Sequence, residues 1–170
     1  MEQNILIRRA EQADIEEILP IFPKAREFMR ANGNLTQWPD IYPGREDVEE
    51  DIENKRGYVM ISDGKIGAYF ALIIGRDPSY GEIDGAWLDD VMLYGTIHRL
   101  ATDGSIKNCA DNCFEYCWKI CSDLRVDTHE DNKNMQEAIL RNGFKRCGII
   151  KLADNGEPRI AYQKLPAFLM

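Results

Sequence analysis

The chain has 170 residues, 44% of them apolar and 29% charged, which suits one domain over residues 1–170 with a core of its own and excludes disordered, collagen-like and coiled-coil classes. Twenty-one basic residues against 29 acidic ones give a formal charge of −8, a field that repels phosphate backbones, so no nucleic-acid partner is expected. A small anionic ligand needs only a local positive pocket and is not excluded. The longest apolar stretch, Ala68 to Ile74, falls far short of the roughly 20 residues that span a bilayer, so no membrane segment is expected. No basic-then-apolar leader is read after Met1, and the five cysteines follow no secreted framework, so a reducing, cytoplasmic setting is expected.

Ile5 to Arg9 reads as a first strand. Ile15, Ile18, Leu19, Phe22, Ala25 and Met29 then recur at helical spacing, interrupted by Pro20 and Pro23. These predict a kinked helix or two short ones ending near Gly33. An aromatic, proline-punctuated loop runs from Trp38 to Gly44, and a charged helix from about Arg45 to Lys55 offers only Val48 and Ile52 as inward positions. Tyr58 to Ser62 and Lys65 to Ile74 read as a hairpin across Asp63-Gly64, the second strand apolar on both faces. Residues 75–95 carry no clear period. A central strand follows at Thr96–Thr102, a helix at Asn108 to about Ser122, a strand at Leu124–Thr128, and a helix at Asn132–Asn142 closed by Gly143. Lys145–Lys151 and Arg159–Lys164 form a last pair of strands across Asp154-Asn155-Gly156. This order predicts an α/β (α+β) architecture: a single mixed central sheet with helices on both faces.

Three stretches carry a likeness to a known family: Ile7 to Asp14; Ile97-His98-Arg99-Leu100-Ala101-Thr102; and Asp127-Thr128-His129-Glu130-Asp131-Asn132 with Met135 and Asn142-Gly143-Phe144. In order and spacing they resemble the opening strand, the fourth strand, and the fifth strand with its following helix in the GNAT superfamily of acyl-CoA-dependent N-acetyltransferases. The resemblance implies a sheet whose fourth and fifth strands splay, with the pantetheine arm of acetyl-CoA lying in the gap like an added strand. Leu100, Ala101 and Thr102 would then offer backbone groups to that arm, with Leu100 N–H as the oxyanion donor. Asn132 would hydrogen-bond the arm and Met135 would pack on it. The diphosphate would sit at the next helix start, at Lys107, Asn108, Cys109, Ala110, Asp111 and Asn112.

Two departures from the family pattern stand out. Asn108 and Asn112 replace glycines, which Asn tolerates in left-handed backbone. Asp111, however, brings a carboxylate to an anion site. It is either a first-turn acid pointing to solvent or a cause of altered cofactor binding. Ile139 occupies the position where many members carry a Tyr that protonates the departing thiolate, so another general acid is required.

Both histidines, His98 and His129, fall at the expected splay. An ammonium acceptor must lose a proton, a task that suits a group titrating near neutrality, and His98 occupies a strand where the family often carries its base. His129 lines the acceptor pocket or caps the Asp131-Asn132 turn. Asp127 reads as a partner of an Arg or His. Trp38, Tyr42, Tyr80, Trp87 and Tyr94 are candidate walls of the acceptor pocket; Trp38, Tyr42, Trp87, Tyr94 and His129 are the residues expected to bind substrate. Glu82, Asp84, Asp89 and Asp90 either attract a cationic amine there or form a solvated loop. Cys109, Cys113, Cys117 and Cys121 repeat every four residues on one helix, and such steps drift by about 40° each, so they do not converge on an ion and no metal is expected. Cys109, near the helix start, is the one candidate for a lowered thiol pKa.

Two readings follow. In the first, the chain is an enzyme that moves an acetyl group from acetyl-CoA to a primary amine of a small molecule, with His98 taking the proton. In the second, it is a regulatory module of the same fold that binds CoA or an amine without turnover. The apolar tail from Leu165 to Met170 points to docking on this subunit or on a second one, as in a homodimer.

Overall fold

The computed structural model describes residues 2–170. Its strands are β1 (Leu6–Arg9), β2 (Gly57–Ser62), β3 (Lys65–Ile74), β4 (Asp84–Gly85), β5 (Gly95–Thr102), β6 (Leu124–Thr128), β7 (Lys145–Lys151) and β8 (Pro158–Lys164). They form one eight-stranded sheet in the order β1-β2-β3-β5-β6-β8-β7-β4. The helices are α1 (Ile15–Ile18), α2 (Ile21–Ala31), α3 (Arg45–Glu53), α4 (Cys109–Ile120) and α5 (Lys133–Arg141).

The helical period between Ile15 and Met29 is divided where the prolines require. Pro20 caps α2, and Pro23 sits in its first turn, where a missing N–H breaks no helical bond. Side chains alternate across the pleat, so β2 and β3 build two cores at once. Val59, Tyr69 and Ala101 face Ile18, Phe22, Ala25 and Val48 from α1, α2 and α3. Tyr58, Met60, Phe70 and Leu72 face Cys113, Phe114, Cys117 and Ile139 from α4 and α5. The two inner thiols, Cys113 and Cys117, are therefore small core residues under the sheet.

The reading of α3 holds for its apolar positions but misses a charged one. Val48 is buried and half-buried Ile52 packs on the same core, as expected, but the second fully buried residue is Asp51. Hydrophobic periodicity cannot find a buried carboxylate whose partners lie far away in sequence. The unpatterned segment 75–95 supplies a single 3-10 turn, Pro78–Tyr80, and the two-residue β4 on the edge of β7.

β5 and β6 are parallel and pair only at Gly95 with Leu124 and Thr96 with Arg125. Beyond those residues they diverge, and the remaining ladder of β6 goes to β8. A wedge thus opens between His98–Thr102 and Val126–Thr128, at the C-terminal ends of both strands.

Candidate active site

The wedge is shaped by a bulge in β5. Ala71 opposes His98 and Tyr69 opposes Ala101, so Arg99 and Leu100 together stand against Phe70 alone. Arg99 has φ 56°, a left-handed conformation that costs a β-carbon residue about 1–2 kcal/mol. Its side chain holds the bulge in place: Arg99 Nε and Nη2 donate to the two oxygens of Asp51 at 2.9 and 2.5 Å, and Nη1 donates to the Tyr42 hydroxyl at 3.3 Å. Asp51 also accepts from Arg56 Nε at 2.8 Å and from the Tyr69 hydroxyl at 2.5 Å. A buried acid with four such donors is fully satisfied, and it turns the Arg99–Leu100 backbone out of the β3 ladder.

Two cavities meet at this bulge. One, of about 200 Å³, is an apolar channel lined by Leu100, Ala101, Thr102, Cys109, Ala110 and Met135, with Asn132 at its side. The other, of about 410 Å³, lies on the far side of the wedge and is lined by Trp38, Tyr42, Asp77, His98, Asp127 and Arg159 among others. Met29, Leu100, Asn132 and Met135 line both, so the two spaces are continuous.

At the channel's outer end the chain turns into α4. Asn108 occupies its N-cap with φ 51° and ψ 42°, the left-handed position where glycine would be usual. The Asn112 side chain donates to the carbonyls of Lys107 and Asn108 at 3.0 and 2.9 Å and braces the turn. The N–H groups of Cys109, Ala110 and Asp111 have no carbonyl four residues back within the helix and are the donors of this helix start. Lys107 N–H is taken by the Gln3 side chain at 2.8 Å. Asp111 neither points freely to solvent nor faces the helix start unpaired. Its Oδ1 accepts from Asn142 at 2.6 Å, and both oxygens accept from Arg141, so its charge is tied sideways to the end of α5. The residues fit a diphosphate at this turn.

Burial pushes the Cys109 thiol up to about 12, which removes it as an activated nucleophile. The drop expected from its helix position is outweighed by desolvation against Met60 and the channel wall. Ile139 is fully buried in the α4–α5 core and lines neither cavity.

In the larger chamber, His98 Nε2 lies 2.8 Å from Asp77 Oδ2. Burial works against the Asp77 carboxylate, but His98 and the Ser79 N–H prevail and hold it below the ordinary range. An ionised carboxylate only accepts, so Nε2 carries the hydrogen and Nδ1 is left as the basic nitrogen. Asp127 on β6 accepts from the Tyr80 hydroxyl at 2.7 Å, and desolvation in the chamber wall raises its pKa despite the nearby His98 and Arg159.

Of the expected substrate contacts, Trp38 and Tyr42 line the chamber. Trp87 and Tyr94 do not: they sandwich the guanidinium of buried Arg125 at 3.9 and 3.7 Å from their ring centres. A buried cation on β6 takes aromatic faces in place of water. Tyr80 packs in the same cluster and reaches the chamber only through its bond to Asp127. His129 is also outside the chamber wall; its Nδ1 accepts the Asp131 N–H at 3.0 Å and caps the turn into α5. Asn132 likewise spends its carbonyl oxygen on the Met135 N–H and donates to Gln37. The acids Asp89 and Asp90 serve Arg125 and the local loop. Asp77, Arg99 and Arg159 went unread in the sequence. Asp77-Pro78 carries only a turn signal, and the signal for Arg159 is that it shares an inward register with Ala161 and Gln163, which are also buried.

Among the described residues, no group of three or more His, Cys, Asp or Glu could hold a metal ion, and no helix is long and apolar enough to cross a membrane. No protein-family model and no curated protein matches the sequence. Solved structures do. The chain is 34% identical to a GNAT-family acetyltransferase from Streptococcus agalactiae, with 96% of each chain covered and a TM-score of 0.86. It is 25% identical to a putative acetyltransferase from Staphylococcus aureus over 94% of this chain and 98% of that one, with a TM-score of 0.70. A GNAT-family acetyltransferase from Listeria monocytogenes shares the fold, with a TM-score of 0.66 at 22% identity and coverage of 96% and 98%.

Proposed function

The chain belongs to the GNAT family of acetyltransferases, and from that premise we propose that it transfers the acetyl group of acetyl-CoA directly to a primary amine of a small molecule. The observation that carries this reading is the continuity of an apolar channel with a polar chamber through the β5–β6 wedge, where donor and acceptor can meet.

Acetyl-CoA supplies an acyl group already activated as a thioester. The protein's part is positioning, oxyanion stabilisation and proton removal. Ala101 and Thr102 border the pantetheine arm, and Met135 packs against it. The bulge frees Leu100 N–H to donate to the thioester oxygen as charge develops there, at the wall of the apolar channel. Cys109, Ala110 and Asp111 offer N–H groups to the diphosphate, with Lys107 adding positive charge. In the chamber, His98 Nδ1 accepts the proton that the ammonium must shed, directly or through one water, and Asp77 stabilises the resulting imidazolium. The reading without turnover drew on Asp111 and Ile139. The first is neutralised by Arg141. The second leaves protonation of the thiolate to solvent or to a chamber group such as the Tyr42 hydroxyl.

A thiol-release assay over a panel of primary amines tests the proposal. Turnover is expected with at least one class of amine. His98→Gln should lower kcat by about 10²-fold or more while acetyl-CoA binding by calorimetry is retained. Unchanged kcat in that variant would remove His98 as the base.

A further inference from the structure

We propose that the acceptor is an amino acid with a free carboxylate, and that Arg159 recognises that carboxylate while the amine faces His98. This rests on the transferase reading above and narrows its substrate class.

The chamber carries charge of both signs, in separate places. Asp77 and Asp127 lie with His98 at the wedge. Arg159 lies one strand over: Asp127 pairs with Ala161 on β8, and Arg159 is two residues from Ala161 on the same face. Such diagonal neighbours stand about 7–8 Å apart, a span that an ammonium and a carboxylate joined by one or a few carbons can bridge together with the side chains. A guanidinium on that wall binds a carboxylate through two parallel donors, which a neutral amine tail cannot exploit.

Arg159 is built into the wall but is not consumed by it. Its side chain is 5% exposed, and its Nη1 donates to its neighbour's carbonyl, Pro158 O, at 3.0 Å. Its Nη2 reaches Gln37 O at 3.3 Å and Glu157 Oε2 at 3.2 Å, both long contacts. Among the described residues, Glu157 is its only carboxylate partner; that side chain is half-exposed and lies two residues away on the chain. A carboxylate brought by the acceptor would take the place Glu157 now holds. Arg99 differs, because Asp51 already takes two of its nitrogens.

The test uses the full chain with acetyl-CoA and three matched series: free amino acids, their carboxamides, and the corresponding decarboxylated amines. The free acids should show kcat/KM about tenfold or more above their carboxamides, mostly through KM, as expected for one lost charge-assisted pair. In Arg159→Gln the acid-to-amide ratio should fall toward one. Glu157→Gln, a surface change with little folding risk, should lower KM for the acids by removing the competing carboxylate. If carboxamides or simple amines are acetylated as well as the acids, the carboxylate assignment is overturned and amine transfer stands. If acetyl-CoA binds and no series releases CoA, amine transfer fails and the acceptor assignment fails with it.

Discussion

Asp77 and Asp127 are carboxylates in one chamber, and their surroundings push them in opposite directions. Both are penalised by burial. Asp77 recovers through His98 and the Ser79 N–H and ends below its ordinary pKa, whereas Asp127, with the Tyr80 hydroxyl as its hydrogen-bond donor, ends above it. The consequences for stability have opposite sign. Asp77 contributes stability above the unfolded carboxyl pKa, and that contribution is lost as pH falls through its lower folded value. Asp127 favours the folded state only below the unfolded pKa, and that advantage is lost as pH rises through its higher folded value. Asp77→Asn should therefore lower the urea midpoint at pH 7 and have a shrinking effect in acid. Asp127→Asn, which keeps an oxygen for Tyr80, should leave the midpoint unchanged or raise it at pH 7. Paired urea titrations at pH 7 and pH 4 check both signs, and matching signs would mean that the two environments are misassigned.

At the scale of elements, the site depends on a strand that is forced out of register and held there from behind. The bulge at Arg99 is anchored through the sheet by Asp51 of α3, so a surface helix with little apolar character acts as the buttress of the cleft. Asp51→Ala leaves the buried Arg99 guanidinium without its carboxylate, while Arg56 keeps Glu50, a loss of about 3–5 kcal/mol that denaturant unfolding should register. The loop from Asp103 to Lys107 is positioned in a similar way by close approach. A β-carbon on Gly67 would lie 2.2 Å from Ser105 Oγ and 2.9 Å from Ile106 Cγ1. Gly67→Ala should therefore shift the turn into α4 and weaken acetyl-CoA binding by about tenfold in calorimetry, without unfolding the sheet.

At the scale of the molecule, cores on both faces of the sheet fix β2, β3 and β5, while β6 is free to pair with β8 and leave the wedge open. A ligand that fills the wedge binds only the folded chain. Acetyl-CoA at 100 times its Kd should therefore add about 2.7 kcal/mol of stability. For a chain of this length that is a rise in Tm of about 5–10 °C. A flat thermal response to acetyl-CoA, with CoA as a parallel ligand, would count against the cleft as its binding site.

Local chemistry was legible in the sequence. The helical period broken at Pro20, the Asp63-Gly64 turn, the apolar run of β3 and the left-handed tolerance of Asn108 all concern neighbours along the chain, and each element formed where its pattern lies. Two of the family-like stretches bring His98, Leu100 and Met135 to one chamber for the same reason: each belongs to an element with a fixed order around the sheet. What the sequence could not decide were partnerships across distance. Trp87 and Tyr94 read as pocket aromatics until β6 brought Arg125 between them. Nothing in the pattern of α3 marks Asp51 as the residue that β5 meets with Arg99, and Arg159 was only the first residue of a strand until β8 folded back beside Asp127. Periodicity reports which face a residue occupies, whereas the cost of burying a charge is settled only by what the completed sheet sets opposite it.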